Sequence, residues 1–190
     1  MGKGRLEAFS DGVIAIIITV MVLELKLPEG DSLSALAQVA PHIGIYVLSF
    51  VYAGIYWNNH HHLFQAVKSV NGAVLWSNLH LLFWLSLIPF TSAWMGESHF
   101  APLPVAAYGG ALLMSALSYT ILVRVLIAHN GADSLLARAI GNDAKGWASL
   151  ALYVAGIASA PVMPLLSVGF YAVAAAMWLV PDRRIERAIP

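Results

Sequence analysis

Four long stretches of this chain contain no Asp, Glu, Lys or Arg: Ser32 to Val67, Ser69 to Gly96, Ser98 to Val123 and Gly146 to Pro181. A membrane helix needs roughly 20 consecutive, mainly apolar residues to cross the hydrocarbon core. The second and third stretches each fit one helix. The first fits a helix plus an approach segment, with Pro41 near its start. The last is too long for one straight helix and is divided by Pro161 and Pro164. Proline removes a helical donor and clashes with the preceding turn, so this stretch reads as a tight helical hairpin.

Composition points the same way. Only 11% of the 190 residues are charged and 59% are hydrophobic, whereas an average soluble domain is about a quarter charged. So few charges cannot cover a soluble surface, and the chain reads as an all-α integral membrane protein whose partner is lipid. Its net charge of zero gives no reason to expect a nucleic-acid partner. The absence of cysteine excludes disulfides and thiolate metal sites. A secretory signal peptide is not expected: Asp11 interrupts the approach to the first apolar run, and Glu24-Leu25-Lys26-Leu27-Pro28 follows it in place of a small-residue cleavage site.

With a first helix added, residues 1–190 form one domain of six spans, at about 5–27, 41–64, 70–95, 103–128, 146–162 and 165–181. Charge placement supports the count. Lys3, Arg5, Lys68, Arg124, Arg138, Lys145, Arg183, Arg184 and Arg187 fall on or next to one side, and only Lys26 falls on the other. Excess Lys and Arg marks the cytoplasmic side, so both termini are expected in the cytoplasm. Trp76, Trp94, Trp147 and Trp178 lie near span ends, as interfacial aromatics do.

The first helix is unusual. Its charge-free part, Gly12 to Leu23, is short for a lipid-facing span. Extension to Arg5 and Leu27 brings in Glu7, Asp11 and Glu24. Ionisable groups at membrane depth usually face a bundle interior or a water-filled cavity, so this helix suits the centre of an assembly. Val13, Ile16, Val20, Leu23 and Leu27 recur at helical spacing, and Thr19 is the single polar side chain at mid-helix. Such a stripe has two readings, plain packing against other helices or an apolar constriction that gates by dewetting. Periodicity does not choose between them.

Glu7, Ser10 and Asp11 need partners, since polar groups in apolar surroundings are costly unless paired. A Ser10/Asp11 N-cap would leave the helix too short to cross. Trp57-Asn58-Asn59-His60-His61-His62 ends span 2 at the level where helix 1 enters, and Asn78 and His80 lie early in span 3. A network of Arg5, Ser10, Asp11, His60 or His61, and Asn78 is expected. The three consecutive histidines do not converge, because successive helical residues point about 100° apart. With no further ligand at the usual spacing, hydrogen bonding is the better reading than a metal. His42, His99 and His129 read as interfacial or loop residues. Pro89 late in span 3 implies a kink. Ala111, Ser115 and Ser118 offer small-residue packing in span 4. No GxSxG, phosphate-cradling loop, HExxH or Thr-Val-Gly-Tyr-Gly filter is present, and no enzyme or cofactor is expected.

Arg5-x-x-x-Phe9-Ser10-Asp11, followed by Gly12-Val13-x-Ala15-Ile16-x-x-Thr19, resembles the first-helix signature of the endolysosomal potassium channel family (transmembrane protein 175) and its bacterial homologues. Tyr56-Trp57-x-x-His60-His61 and the segment from Trp76-x-Asn78-Leu79 to Leu87-Ile88-Pro89-Phe90 are similar too. The resemblance covers spans 1 to 3 and is generic beyond them. It implies a bacterial-type homotetramer in the inner membrane, permeable to K⁺ over Na⁺, with the first helix lining a central pore and no pore loop. It also implies a main constriction at Ile16, pore-lining roles for Val20 and Leu23, and a selectivity role for Thr19. Arg5, Ser10 and Asp11 match a polar network that holds the pore helix against spans 2 and 3. Val20 is smaller than the leucine expected there. The competing expectation is a proton-coupled secondary transporter that uses Asp11 and the span 2 histidines as a relay. Further alternatives are a non-conducting scaffold and, least favoured, a membrane enzyme.

Overall fold

The computed structural model describes residues 2–140 and 143–179. In chain order the helices are α1 (Lys3–Leu23), α2 (Leu33–Gln65), α3 (Gly72–Ser86), α4 (Ile88–Glu97), α5 (Pro102–Asn130), α6 (Leu135–Ile140), α7 (Ala144–Ser159) and α8 (Pro164–Leu179). Four stretches among the described residues are long and apolar enough to cross a membrane: Lys3–Leu23, Leu33–Gln65, Gly72–Glu97 and Pro102–Asn130. The C-terminal hairpin, α7 and α8, is built of 16-residue helices. The expected end of the last span at 181, and Arg183, Arg184 and Arg187, lie outside the described residues.

Three boundaries depart from the sequence reading, each for a local reason. Helix α1 stops at Leu23, not at 27. The Glu24 N–H closes onto the Val20 and Val22 carbonyls, and Leu27 precedes Pro28, which disfavours helical backbone at Leu27. Helix α2 begins eight residues before Pro41, because Ser32 caps it by accepting from the Ala35 N–H at 3.2 Å. Pro41 sits inside the helix. Span 3 is two helices. The ladder breaks at Leu87, Pro89 stands in the first turn of α4, and the Leu87 carbonyl accepts both the Thr91 N–H and Thr91 Oγ1, each at 3.0 Å. A proline in the first turn of a helix costs no intrahelical bond, because its missing donor would be unpaired there anyway.

Helix α1 packs on α2, α3 and α4 through Leu6, Ser10, Ile14, Ile17 and Met21, all buried. Helix α5 joins α3 and α4 to the hairpin. The centre holds five buried tyrosines, and three of their hydroxyls tie the helices together. Tyr52 Oη donates to the Tyr171 carbonyl at 2.6 Å, Tyr108 Oη meets Ser49 Oγ at 3.1 Å, and Tyr171 Oη donates to the Val105 carbonyl at 3.3 Å. Gly109 and Gly156 face the Tyr171 ring so closely that a Cβ at either would collide with it.

The two ends of the bundle differ. At one, Lys3 Nζ donates to the carbonyls of Phe64 (2.7 Å) and Val67 (3.1 Å). There also, Asn130 Oδ1 accepts from the backbone N–H groups of Lys68 and Ser69. At the other, Lys26 pairs with Glu97 at 2.6 Å, joining the exit of α1 to the exit of α4.

Candidate functional site

Helix α1 has two faces. The buried one carries Leu6, Ser10, Ile14, Ile17 and Met21. The opposite one carries Phe9, Ile16, Val20 and Leu23, with Ile16 at 62%, Val20 at 38% and Leu23 at 80% exposure. Steps of three and four keep these residues on one line. Thr19 is exposed on the same side, and its Oγ1 donates back to the Ile16 carbonyl at 2.8 Å. The expected stripe is therefore trimmed at both ends: Val13 packs half-buried against the core, and Leu27 lies beyond the helix. Beside the exposed face runs an open groove between α1 and α4, lined by Ile17, Ser86, Pro89, Phe90 and Ala93.

The entry of α1 is anchored by one buried hydrogen-bonded chain. Ser10 Oγ donates to the Leu6 carbonyl (2.9 Å) and accepts from Asn78 Nδ2 (2.9 Å), while Asn78 Oδ1 meets His60 Nε2 (2.8 Å). With its amide spent on Ser10, Asn78 offers His60 an acceptor, so His60 donates from Nε2. The relay runs from α2 through α3 to α1, and Ser10, Asn78 and His60 are all at most 1% exposed. His60 also packs on Phe64, ring centroids 4.6 Å apart.

The other expected members sit apart from this chain. Asp11 Oδ1 accepts from Trp57 Nε1 at 3.1 Å. His61 bonds Gln65 at 2.8 Å and stacks on Trp57. Arg5 is exposed, and no ion pair involves it among the described residues. His80 accepts from Trp84 Nε1 at 3.0 Å. Two anchors escaped the sequence reading. Trp57 belongs to the aromatic–histidine motif, and sequence alone does not pair it with Asp11. Lys3 reads from the sequence as a topological charge, yet it caps α2 and so ties the first turn of α1 to the end of its neighbour. A cation near a helix C-terminus is the signal that could have shown it. Among the described residues, no group of three or more His, Cys, Asp and Glu side chains could hold a metal ion.

Comparison with known proteins bears on this same region. The family model described as endosomal/lysosomal potassium channel TMEM175 matches residues 5–89, which hold every residue of the exposed face and its anchor. A protein named as a potassium channel in Chryseobacterium sp. (strain P1-3) is 57% identical over 189 residues, 100% of this chain and 98% of its own length. Another so named, in Streptomyces collinus, is 37% identical over 131 residues, 63% of this chain and 62% of its own. The crystal structure of a lysosomal potassium-selective channel TMEM175 homolog from Chamaesiphon minutus superposes with a TM-score of 0.81 at 30% identity, covering 95% of this chain and 97% of that one.

Proposed function

The chain belongs to the TMEM175 family, and from that premise we propose that it is a potassium-permeable channel of the bacterial inner membrane. Four copies surround an axis, and each contributes α1 to the wall of the pore. Both termini face the cytoplasm. Ile16 forms the main constriction, Val20 and Leu23 continue the lining, and Thr19 contributes to selectivity. The observation that carries this reading is the exposed apolar line of Ile16, Val20 and Leu23 on a helix whose other face is fully packed. On a lipid-facing helix such a line is ordinary. On a helix that brings Glu7 and Asp11 with it, a water-filled axis is the better home for it.

An aliphatic ring offers no oxygen to replace a hydration shell. Selection therefore comes from partial dehydration at a narrow point, where K⁺ sheds water more cheaply than Na⁺, and discrimination is weaker than a carbonyl filter achieves. The Ser10–Asn78–His60 chain keeps α1 in register, so that the ring stays narrow.

The test is the reversal potential of the purified protein in a planar bilayer, with K⁺ on one side and Na⁺ on the other. Wild type should reverse in favour of K⁺, and Ile16→Asn should reverse nearer zero because the ring no longer demands dehydration. Wild-type current with an unchanged reversal potential in Ile16→Asn removes Ile16 as the selective constriction. Slow, saturable, proton-coupled uptake without current replaces the channel with a transporter.

A further inference from the structure

The exit of α1 meets α2 and α4 at one corner, and that corner holds a polar group with no part in the exposed face or its anchor. His42 stands in the first half of α2. Its ring lies so close to Gly96 of α4 that a Cβ there would come within 2.9 Å of His42 Cδ2. Only glycine at position 96 leaves the imidazole its place. Both ring nitrogens are closed off from solvent, and neither has a hydrogen-bond partner. A buried polar atom left unpaired is costly.

The charges around the ring are unequal. Glu24, the C-cap of α1, shares the wall of one small cavity, about 20 Å³, with His42, Tyr46 and Ser92. Glu97 Oε1, at the end of α4, stands 4.0 Å from His42 Nε2, beyond hydrogen-bond length. Lys26 is committed to the other Glu97 oxygen at 2.6 Å. Glu24 has no ion pair among the described residues. Two carboxylates therefore face one ammonium, and the corner is one positive charge short while His42 is neutral. The other titratable groups here are the Tyr46 phenol on the cavity wall and His99 of the α4–α5 connection, which acts on Glu97. Helix α8 also packs on α2, but it contributes no residue to the cavity wall.

A proton on His42 supplies the missing charge. A neutral imidazole has one donor, whereas imidazolium donates from both nitrogens. One donor then serves Glu97, across a gap that a small side-chain shift closes. The other serves the cavity that Glu24 lines. Without that proton, the corner is held by Lys26–Glu97, whose side chains are 49% and 51% exposed. Ion pairs so open to solvent hold weakly.

We propose that His42 is a proton-operated clamp on the exit end of α1: protonated, it joins the Glu24 cap of α1 to α2 and to Glu97 of α4, and neutral, it lets the cap go. Glu24 follows Leu23 directly, so the clamp acts on the last residue of the exposed apolar line. Any effect on ion flux rests on the channel function proposed above. The clamp itself is read from stability, so its failure and that of the channel are told apart.

Thermal unfolding of the detergent-purified full chain, from about pH 8 to about pH 5.5, tests it, since histidine changes charge in that window. A histidine that gains carboxylate partners on protonation adds stability at low pH and loses that contribution as pH rises. Relative to His42→Gln, the wild-type midpoint should therefore rise by about 2 to 4 °C on acidification. The comparison cancels the titration of the other histidines, which both proteins share. Glu24→Gln should lose part of the gain, and His99→Asn should keep it. Parallel profiles for wild type and His42→Gln overturn the proposal. A gain that Glu24→Gln leaves whole, or that His99→Asn removes, overturns it equally. If His42→Gln does not fold, wild type against Glu24→Gln decides on the same terms.

Discussion

At the scale of single residues, Asn78 is the pivot of the anchor. Its amide donates to Ser10 and its carbonyl accepts from His60, both within 3 Å, so three helices meet on one side chain. Substitution by leucine keeps the branched shape and the number of side-chain heavy atoms, adds some bulk, and removes both bonds. It also leaves the His60 N–H facing a hydrocarbon group. Polar pairs inside membrane bundles are worth about 0.6 to 2 kcal/mol each, so Asn78→Leu should lower the thermal midpoint of the detergent-purified protein. If the anchor keeps the pore narrow, the same variant should also weaken K⁺ over Na⁺ selectivity. Asp11→Asn retains the acceptor for Trp57 Nε1 and should move the midpoint much less. Equal losses for the two would mean that charge, and not hydrogen-bond geometry, is what position 11 contributes.

At the scale of elements, long helices were legible because absence of charge is a property of composition over many residues. The apolar line on α1 was legible in its middle, where Ile16, Val20 and Leu23 repeat at helical spacing. Its ends were not, because the helix closes at Leu23 with Glu24 as its cap and Val13 turns toward the core. The start of α2 is hidden because Pro41 is the more conspicuous signal, while the Ser32 cap fixes it. The Ser10–Asn78–His60 chain needed tertiary geometry, since residues 10, 60 and 78 are brought together only by the packing of three helices. Sequence proximity favoured a wider network that included Arg5 and His61, which the fold leaves apart. The hairpin was legible from its prolines, but its seam was not. Gly156 sits where a Cβ would run into the Tyr171 ring, a fact no spacing rule reveals. Gly156→Ala should therefore destabilise the protein by about 1 to 3 kcal/mol, the usual range for overpacking, as read from urea or thermal unfolding in detergent. Gly110→Ala, which meets nothing within 4 Å, should be neutral or slightly stabilising, because alanine is the better helix former. Similar losses at both positions would show that helix flexibility, and not the close approach of Tyr171, is what these glycines supply.

At the scale of the whole molecule, the described charges are unequally shared between the two ends of the bundle. Lys3 and Lys68 sit near the α2–α3 connection, while Lys26 stands at the other end, paired with Glu97. A single copy leaves the apolar line of α1 open, with Leu23 80% exposed, and one α1 encloses no pore. The proposed function therefore requires that copies meet on this face, and the lack of native cysteine makes that measurable. Leu23→Cys in native membranes, treated with a short bis-maleimide, should give covalent species up to dimers, because two thiols make one bridge. A tetravalent maleimide should carry the product to four chains. Val173→Cys, on α8 and 55% exposed, should give no such product, since the proposed arrangement keeps α8 away from the axis. If Leu23→Cys stays monomeric with both reagents while its thiol is shown to react with a monofunctional maleimide, α1 does not face an axis. Its apolar line would then be a lipid-facing surface, and Glu7, Asp11 and Glu24 would need another reason to stand so near the membrane.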